Sequence, residues 1–265
     1  MIHHVDVAGS SVAYRVDGAG PALVLVHGTG GDSESNWALL VDRLSQAHTV
    51  IRPDYSGSGG TVDDGQPLTV ALLAAQVVAA AQDAGATRFD LVGFSLGAAV
   101  ATYIAAEYPD RVRTVTLLAG LANGTDTRSA LQFELWRDLI GSDRRSMARV
   151  MFLTGFSPDF LAAMDFATVQ QFIQQTMETV NWDGMARQVA LDMVLDVRDQ
   201  ARRIAKPTLV IGCTHDHMVP PAHARELADL IPGARYLQIE TGHLGTLERP
   251  DQIAQAVLDH VSTAA

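Results

Sequence analysis

The sequence predicts an α/β domain: a mainly parallel sheet covered by helices and interrupted once by a long helical segment. Three observations predict it. Apolar runs of strand length alternate with helical stretches up to about residue 122. The alternation stops over 123–203, where helical periodicity alone is found. It resumes with PTLVIGC (207–213) and continues to the last helix. Strands and helices at this spacing imply βαβ units.

Two alternating stretches, 2–7 and 10–16, read as an antiparallel pair turned at Ala8-Gly9. ALVLVH (22–27) is apolar throughout, as suits a central strand buried on both faces. A polar Gly-rich loop leads into a helix over 36–46, then TVIRP (49–53) forms a strand followed by the loop DYSGSGGT. The Ala-rich segment 69–84 is helical. FDLVGF (89–94) is a strand, 96–109 a helix stopped by Pro109, and VRTVTLLAG (112–120) a strand. The interrupting segment holds six of the eight phenylalanines, six of the eight methionines, Trp136 and Trp182. Beyond it come the strand 207–213, a helix over 221–231, the strand ARYLQIE (234–240) and a final helix over 251–261. The organisation expected is one core domain, 1–122 with 204–265, carrying a helical insertion at 123–203. No internal repeat and no linker-like tract is found.

Bulk properties exclude several functions. The 265 residues are 48% hydrophobic and 18% charged, a globular balance with enough chain for a sizeable core. The net charge is −11, and Lys206 is the only lysine among 19 basic residues. No basic cluster offers a footprint for nucleic acid, and an acidic surface is repelled by anionic membranes. MIHHVDVAGS lacks the charged and apolar regions of a secretory signal, and no run of 18 apolar residues occurs. Cys213 is the only cysteine, so no intrachain disulfide can form and a reducing cytoplasm is expected.

VGFSLGAAVA places one hydroxyl, Ser95, where a strand turns into a helix, with Gly93 and Gly97 two residues to either side. Such a turn strains its central residue and needs small neighbours at ±2. It exposes the hydroxyl at a helix N-terminus, where backbone N–H groups point toward developing negative charge. The pentapeptide alone fits a small-residue turn equally well; the strand before it and the helix after it favour a nucleophile. A hydroxyl nucleophile needs a base. Of nine histidines, His3, His4, His48 and His260 lie on peripheral segments and read as solvated. His27 ends a buried strand and shapes a loop, and His223 falls in a helix. His243, in TGHLGTLERP, sits on a loop between a strand and the last helix, in the layer where a mobile base belongs.

GCTHDHMVP (212–220) sets His215, Asp216 and His217 side by side, as a metal site, a catalytic acid or a polar loop. No further ligand cluster of recognisable spacing completes a metal site. Asp216 follows a strand and stands between Ser95 and His243 in the chain, which favours the acid.

With these residues in hand, the chain resembles the α/β-hydrolase superfamily over nearly its whole length, in particular its serine esterase and cofactor-free perhydrolase-like branch. The matching motifs are HGTGG (27–31), PDYSGSG (53–59), GFSLG (93–97), the G…D..VP pattern ending at Pro220, and GH….E.P ending at Pro250. The order Ser95, Asp216, His243 is the order of that family. The resemblance implies an eight-stranded, mostly parallel sheet with helices on both faces, and a helical lid formed by the insertion. It implies Ser95 as nucleophile, His243 as base then acid, and Asp216 as the residue that orients the imidazole. It also implies oxyanion-hole N–H groups from Leu96 and Thr29, with Gly30 as the alternative to Thr29.

Other polar residues are read more plainly. Asp54 fits a turn-former and Glu248 a residue that helps begin the final helix. Asp126 stands where some relatives place the triad acid, as a minor alternative to Asp216. Candidate substrate-contacting residues are Trp37 and Phe94 from the core, and Trp136, Phe152 and Phe156 from the insertion; Asn36 and Trp37, which follow the loop after HG, fit packing at the helix start equally well. Such a lining suits a small molecule with an apolar acyl or ring moiety.

A Ser–His–Asp site favours acyl transfer to water from an ester, lactone or thioester, and less easily an amide. Two other readings stay open: carbon–carbon cleavage beside a carbonyl, or perhydrolysis, by the same triad; and a non-hydrolytic binding or cyclase-like member of the fold. No cofactor or metal is expected: GSGG follows a strand but lacks the full dinucleotide fingerprint. Composition leaves the oligomeric state open.

Overall fold

The structure, a computed structural model, describes residues 1–263. The first part of the chain forms β1 (Ile2–Val7), β2 (Ser10–Asp17), β3 (Ala22–Val26), α1 (Ala38–Leu44), β4 (Thr49–Pro53), α2 (Val70–Asp83), β5 (Phe89–Phe94), α3 (Leu96–Glu107) and β6 (Val112–Leu118). Six helices follow: α4 (Thr127–Ser142), α5 (Arg144–Gly155), α6 (Pro158–Ala163), α7 (Phe166–Thr179), α8 (Trp182–Asp192) and α9 (Arg198–Arg203). The chain closes with β7 (Thr208–Cys213), α10 (Pro221–Leu230), β8 (Arg235–Ile239), α11 (Gly245–Glu248) and α12 (Pro250–Ser262).

The eight strands form one sheet in the order β1-β2-β4-β3-β5-β6-β7-β8. β1 and β2 pair antiparallel, as does β2 with β4; every pairing from β4 to β8 is parallel. Successive residues of a strand point to opposite faces, so the central strands divide their side chains between two cores. Val24, Val26, Leu91, Val115 and Val210 pack against α2, α3 and α10 on one face. Leu23, Leu25, Val50, Val92 and Ile211 pack against α1 and α12 on the other. This is why those strands read as unbroken apolar runs. β6 stops at Leu118, two residues before the apolar run ends, because Ala119 turns to φ 48° and donates its N–H to the Ile211 carbonyl.

α4 to α8 are divided by their caps. Asp126, Asp143, Ser157, Asp165 and Asn181 each accept a backbone N–H of the first turn that follows. The excursion leaves and rejoins the core through a bridge between Asn123 and Asp196, while α9 packs against α3 and α10. Its own core, built on Phe133, Trp136, Trp182 and Met185, continues into Leu121, Met218 and Val219 above the strand ends.

One histidine differs from the sequence reading. His260, read as solvated, is 2% exposed, and its ring N–H donates to the carbonyls of Val115 (3.1 Å) and Pro207 (3.3 Å). It shares a helical face with Ile253, Val257 and Val261, which turns it inward. Among the described residues no helix is long and apolar enough to cross a membrane.

Candidate active site

Ser95 sits between β5 and α3 with φ 56°, a left-handed conformation that non-glycine residues avoid. The turn is tight enough that a Cβ at Gly93 would strike the Gly97 carbonyl, and one at Gly97 the carbonyls of Val26 and His27. Close packing thus accounts for both glycines of the pentapeptide.

The loops after β7 and β8 bring two more residues to this serine. Asp216 Oδ2 lies 2.7 Å from His243 Nδ1, and His243 Nε2 lies 3.1 Å from Ser95 Oγ. A carboxylate only accepts, so Nδ1 carries the ring proton and Nε2 is left to accept from the serine hydroxyl. Asp216 is held by its second oxygen, which accepts the N–H groups of Met218 (2.8 Å) and Val219 (2.7 Å). The Phe94 ring backs the imidazole at 4.9 Å between centroids.

The loop after β3 faces the serine. Its approach is close: a Cβ on Gly28 would stand 2.9 Å from the Ser95 Cβ. The Gly28 N–H donates to Asn36 Oδ1 at 2.8 Å and the Gly30 N–H to Gln188 Oε1 at 2.8 Å. Among the described residues the Thr29 N–H has no partner, so it, rather than Gly30, is free for a ligand. The Leu96 N–H opens α3, where first-turn donors lack partners within the helix.

Ser95, His243, Gly28, Thr29 and Gly30 border a cavity of about 180 Å³ between the sheet and the inserted helices. Phe94, Trp136, Phe152 and Phe156 line it, together with Leu121, Phe133 and Met151. Trp37 does not. It is 0% exposed, packs among Leu40, Leu44 and Ile253, and meets Phe94 edge-on with centroids 6.3 Å apart. Its neighbour Asn36 lines the cavity instead, because that side chain turns back to hold Gly28.

The remaining polar residues separate from the site. Asp126 caps α4 and stands 3.8 Å from His223, not beside His243. Asp54 ties two loops, accepting from Ser33 N (2.7 Å) and Gly60 N (3.1 Å). His215 is exposed and pairs with Glu240 at 3.0 Å, and His217 is exposed. Among the described residues no three His, Cys, Asp or Glu side chains gather as metal ligands. Burial pushes the Cys213 thiol well above its ordinary range, so it is no nucleophile.

Several contacts have no counterpart in the sequence motifs. Glu248 does not start α12. It is buried and accepts from Thr241 Oγ1 (3.1 Å), Gly242 N (2.7 Å) and Ser157 N (3.0 Å), and also from the Ser157 hydroxyl. Arg128 and Gln132 of α4 donate to the Met218 carbonyl beside Asp216, at 3.2 and 3.0 Å. The Thr29 hydroxyl meets Asp192 at 2.7 Å. The inserted helices are therefore bonded to the acid loop, the histidine loop and the loop facing the serine.

This geometry agrees with the family model described as alpha/beta hydrolase fold, which matches residues 21–250. The chain belongs to the α/β-hydrolase family. Among its relatives is a protein of Xenorhabdus hominickii named pyrrolizixenacetamide deacetylase, 53% identical over 95% of this chain and 94% of that protein. A pimeloyl-[acyl-carrier protein] methyl ester esterase of Xanthomonas axonopodis pv. citri is 30% identical over 98% of this chain and 99% of its own. Among solved structures, the enol-lactonase of Burkholderia xenovorans superposes with a TM-score of 0.89 at 27% identity, over 98% and 100% of the two chains. As an α/β hydrolase with hydrolytic relatives at full length, the protein is an enzyme of the hydrolase class.

Proposed function

We propose that this α/β hydrolase is a serine hydrolase. It cleaves a carboxylic ester, lactone or thioester of a largely apolar small molecule through an acyl-enzyme on Ser95. The reading rests on one observation above all: a line of hydrogen bonds runs from Asp216 through His243 to Ser95 at the wall of an apolar cavity.

In this mechanism Ser95 Oγ attacks the substrate carbonyl as His243 Nε2 takes its proton. Asp216 keeps Nδ1 protonated and stabilises the imidazolium that forms. The carbonyl oxygen becomes an oxyanion between the Thr29 and Leu96 N–H groups, each worth roughly 3 kcal/mol to the transition state. Collapse expels the leaving group with the proton from His243, and water then releases the acyl group by the same steps. The inserted helices serve as the lid of this site, and the medium is the cytoplasm, where the lone Cys213 stays reduced.

A second reading, removal of an acetyl group from an amide, is favoured by the 53% identical relative named as a deacetylase of an acetamide. The same residues would serve, with His243 protonating the departing amine. A fluorophosphonate should label the protein, and labelling and turnover should vanish in Ser95→Ala. A panel of aryl and alkyl esters of graded acyl length, with matched acetanilides, separates the two readings. Absence of both labelling and turnover across the panel would reject the proposal.

A further inference from the structure

One carboxyl group in the wall of the cavity takes no part in the line from Asp216 to Ser95. Asp192, the last residue of α8, is 3% exposed and borders the same cavity as Ser95 and Thr29. Its Oδ2 meets the Thr29 hydroxyl at 2.7 Å, and among the described residues its other oxygen has no hydrogen-bond partner. No arginine, lysine or histidine pairs with it among those residues. Asp216, by contrast, receives two backbone N–H groups and a ring N–H.

The groups facing Asp192 are few. The loop after β3 gives Thr29. The loop after β4 gives Tyr55, whose hydroxyl donates to the His27 carbonyl at 2.9 Å and which burial keeps un-ionised. Behind Tyr55 stand the His27 ring, held neutral by burial, and Asp54, bound to two backbone N–H groups. α4 presents Phe133 and Trp136 to the cavity and turns Glu134, Arg137 and Asp138 to solvent. On α8 itself, Arg187 is engaged by Asp63 at 3.0 Å. Burial without a cation favours the neutral acid. Desolvation pushes this carboxyl up to about 7 although the Thr29 hydrogen bond pulls the other way.

The two protonation states do different things to Thr29. A neutral carboxyl has a proton to give: it can donate to Thr29 Oγ1 and free the threonine hydroxyl to turn toward the cavity beside its own backbone N–H. An ionised one can only accept, so it draws that hydroxyl away. It also sets a negative charge in a low-dielectric wall next to where the oxyanion forms.

We propose that Asp192 is a positioning residue acting through Thr29. Its neutral form leaves the oxyanion loop with its donors and no opposing charge, and its ionisation withdraws the Thr29 hydroxyl and disfavours the transition state. The proposal rests on the reading of Ser95 as nucleophile and Thr29 as oxyanion donor.

The test is the pH profile of kcat/KM for an uncharged activated ester, paired with infrared spectra of the free enzyme. The wild type should lose roughly tenfold in kcat/KM as pH rises through the Asp192 titration, with the loss in kcat. That limb should be absent in Asp192→Asn, whose amide can donate to Thr29 but cannot ionise. Thr29→Val, which keeps the backbone N–H, should lower kcat and shrink the limb to the part that the Asp192 charge alone makes, and Thr29→Ser should restore both. A carboxylic-acid C=O band should disappear from the wild type over the same pH range and be missing from Asp192→Asn. An Asp192→Asn profile identical to wild type, or a wild-type spectrum without that band, overturns the proposal. Should Asp192→Asn fail to fold, the wild-type spectrum and the Thr29→Val profile decide alone. Turnover that survives Ser95→Ala would instead reject the underlying serine-hydrolase reading.

Discussion

Glu248 and Ser157, 91 residues apart, are joined by two hydrogen bonds in a buried site, one from the Ser157 backbone N–H and one from its hydroxyl. The same carboxylate holds Thr241 and Gly242, the residues that lead into His243. One side chain thus fixes the histidine loop to the turn between α5 and α6. The Leu244 N–H strengthens the join by donating to the Gly155 carbonyl at 2.8 Å.

Glu248→Ala should therefore reduce both stability and activity. It leaves four buried donors without their acceptor, a cost of roughly 4 kcal/mol, visible as a lower Tm. The freed loop should misplace His243, lowering kcat more than it raises KM. Glu248→Gln, which keeps one carbonyl acceptor, should recover part of both. A variant with lowered Tm and unchanged kcat would show that the loop is positioned by other contacts.

Asp216→Asn should lower kcat by roughly 10⁴-fold, because the amide favours the wrong imidazole tautomer. His215→Ala should leave kcat within about twofold of wild type, since its ring pairs with Glu240 on the surface. Steady-state rates for the two variants, with and without a chelator, check this. Equal losses at both positions, restored by added metal, would revive a metal centre in GCTHDHMVP.

How much of this was legible in the sequence follows from the range of each interaction. Strand positions were, because Leu23 to Val26 are buried on both faces and no polar residue could stand there. Ser95, Asp216 and His243 could be singled out because each lies at a strand end whose loop carries a local signature. The caps Asp126, Asp143, Ser157, Asp165 and Asn181 were equally visible letters, and would have divided the insertion into helices. Which of Asn36 and Trp37 meets the cavity was not legible, because their place beside the loop after β3 says nothing of which way the amide or the indole turns. Glu248, Gln188 and Asp192 were out of reach for another reason. Their partners Ser157, Gly30 and Thr29 are 91, 158 and 163 residues away, and no local pattern encodes such pairs.

Gly97→Ala should prevent the site from forming. The helical backbone there accepts alanine, but its Cβ would overlap the carbonyls of Val26 and His27 in the centre of the sheet. A cost of about 3 kcal/mol or more and loss of fluorophosphonate labelling are expected. Gly141→Ala in α4 is the control, because a Cβ there meets nothing within 4 Å. It should be neutral or stabilise by up to about 1 kcal/mol. Thermal melts and labelling of the two variants distinguish packing at the elbow from a general intolerance of alanine.

Asp192 gives a stability prediction whose sign is opposite to that of a paired carboxylate. Its carboxyl has an ordinary value of 3.8 and is pushed up to about 7 in the folded protein, chiefly by burial. Between those values the folded chain keeps a proton that the unfolded chain has lost, so raising the pH favours unfolding. The loss accrues at about 1.4 kcal/mol per pH unit and stops once the folded carboxyl has also ionised. Asp192→Asn does not titrate. Relative to wild type it should show a constant stability difference below pH 3.8, a growing advantage up to about pH 7, and no further change above. The advantage gained across that window should approach roughly 4 kcal/mol. Urea unfolding of the two proteins at matched pH isolates this one carboxyl, because every other titrating group cancels in the difference. A difference that stayed flat, or that shifted toward the wild type with rising pH, would mean that a charged partner holds Asp192 ionised.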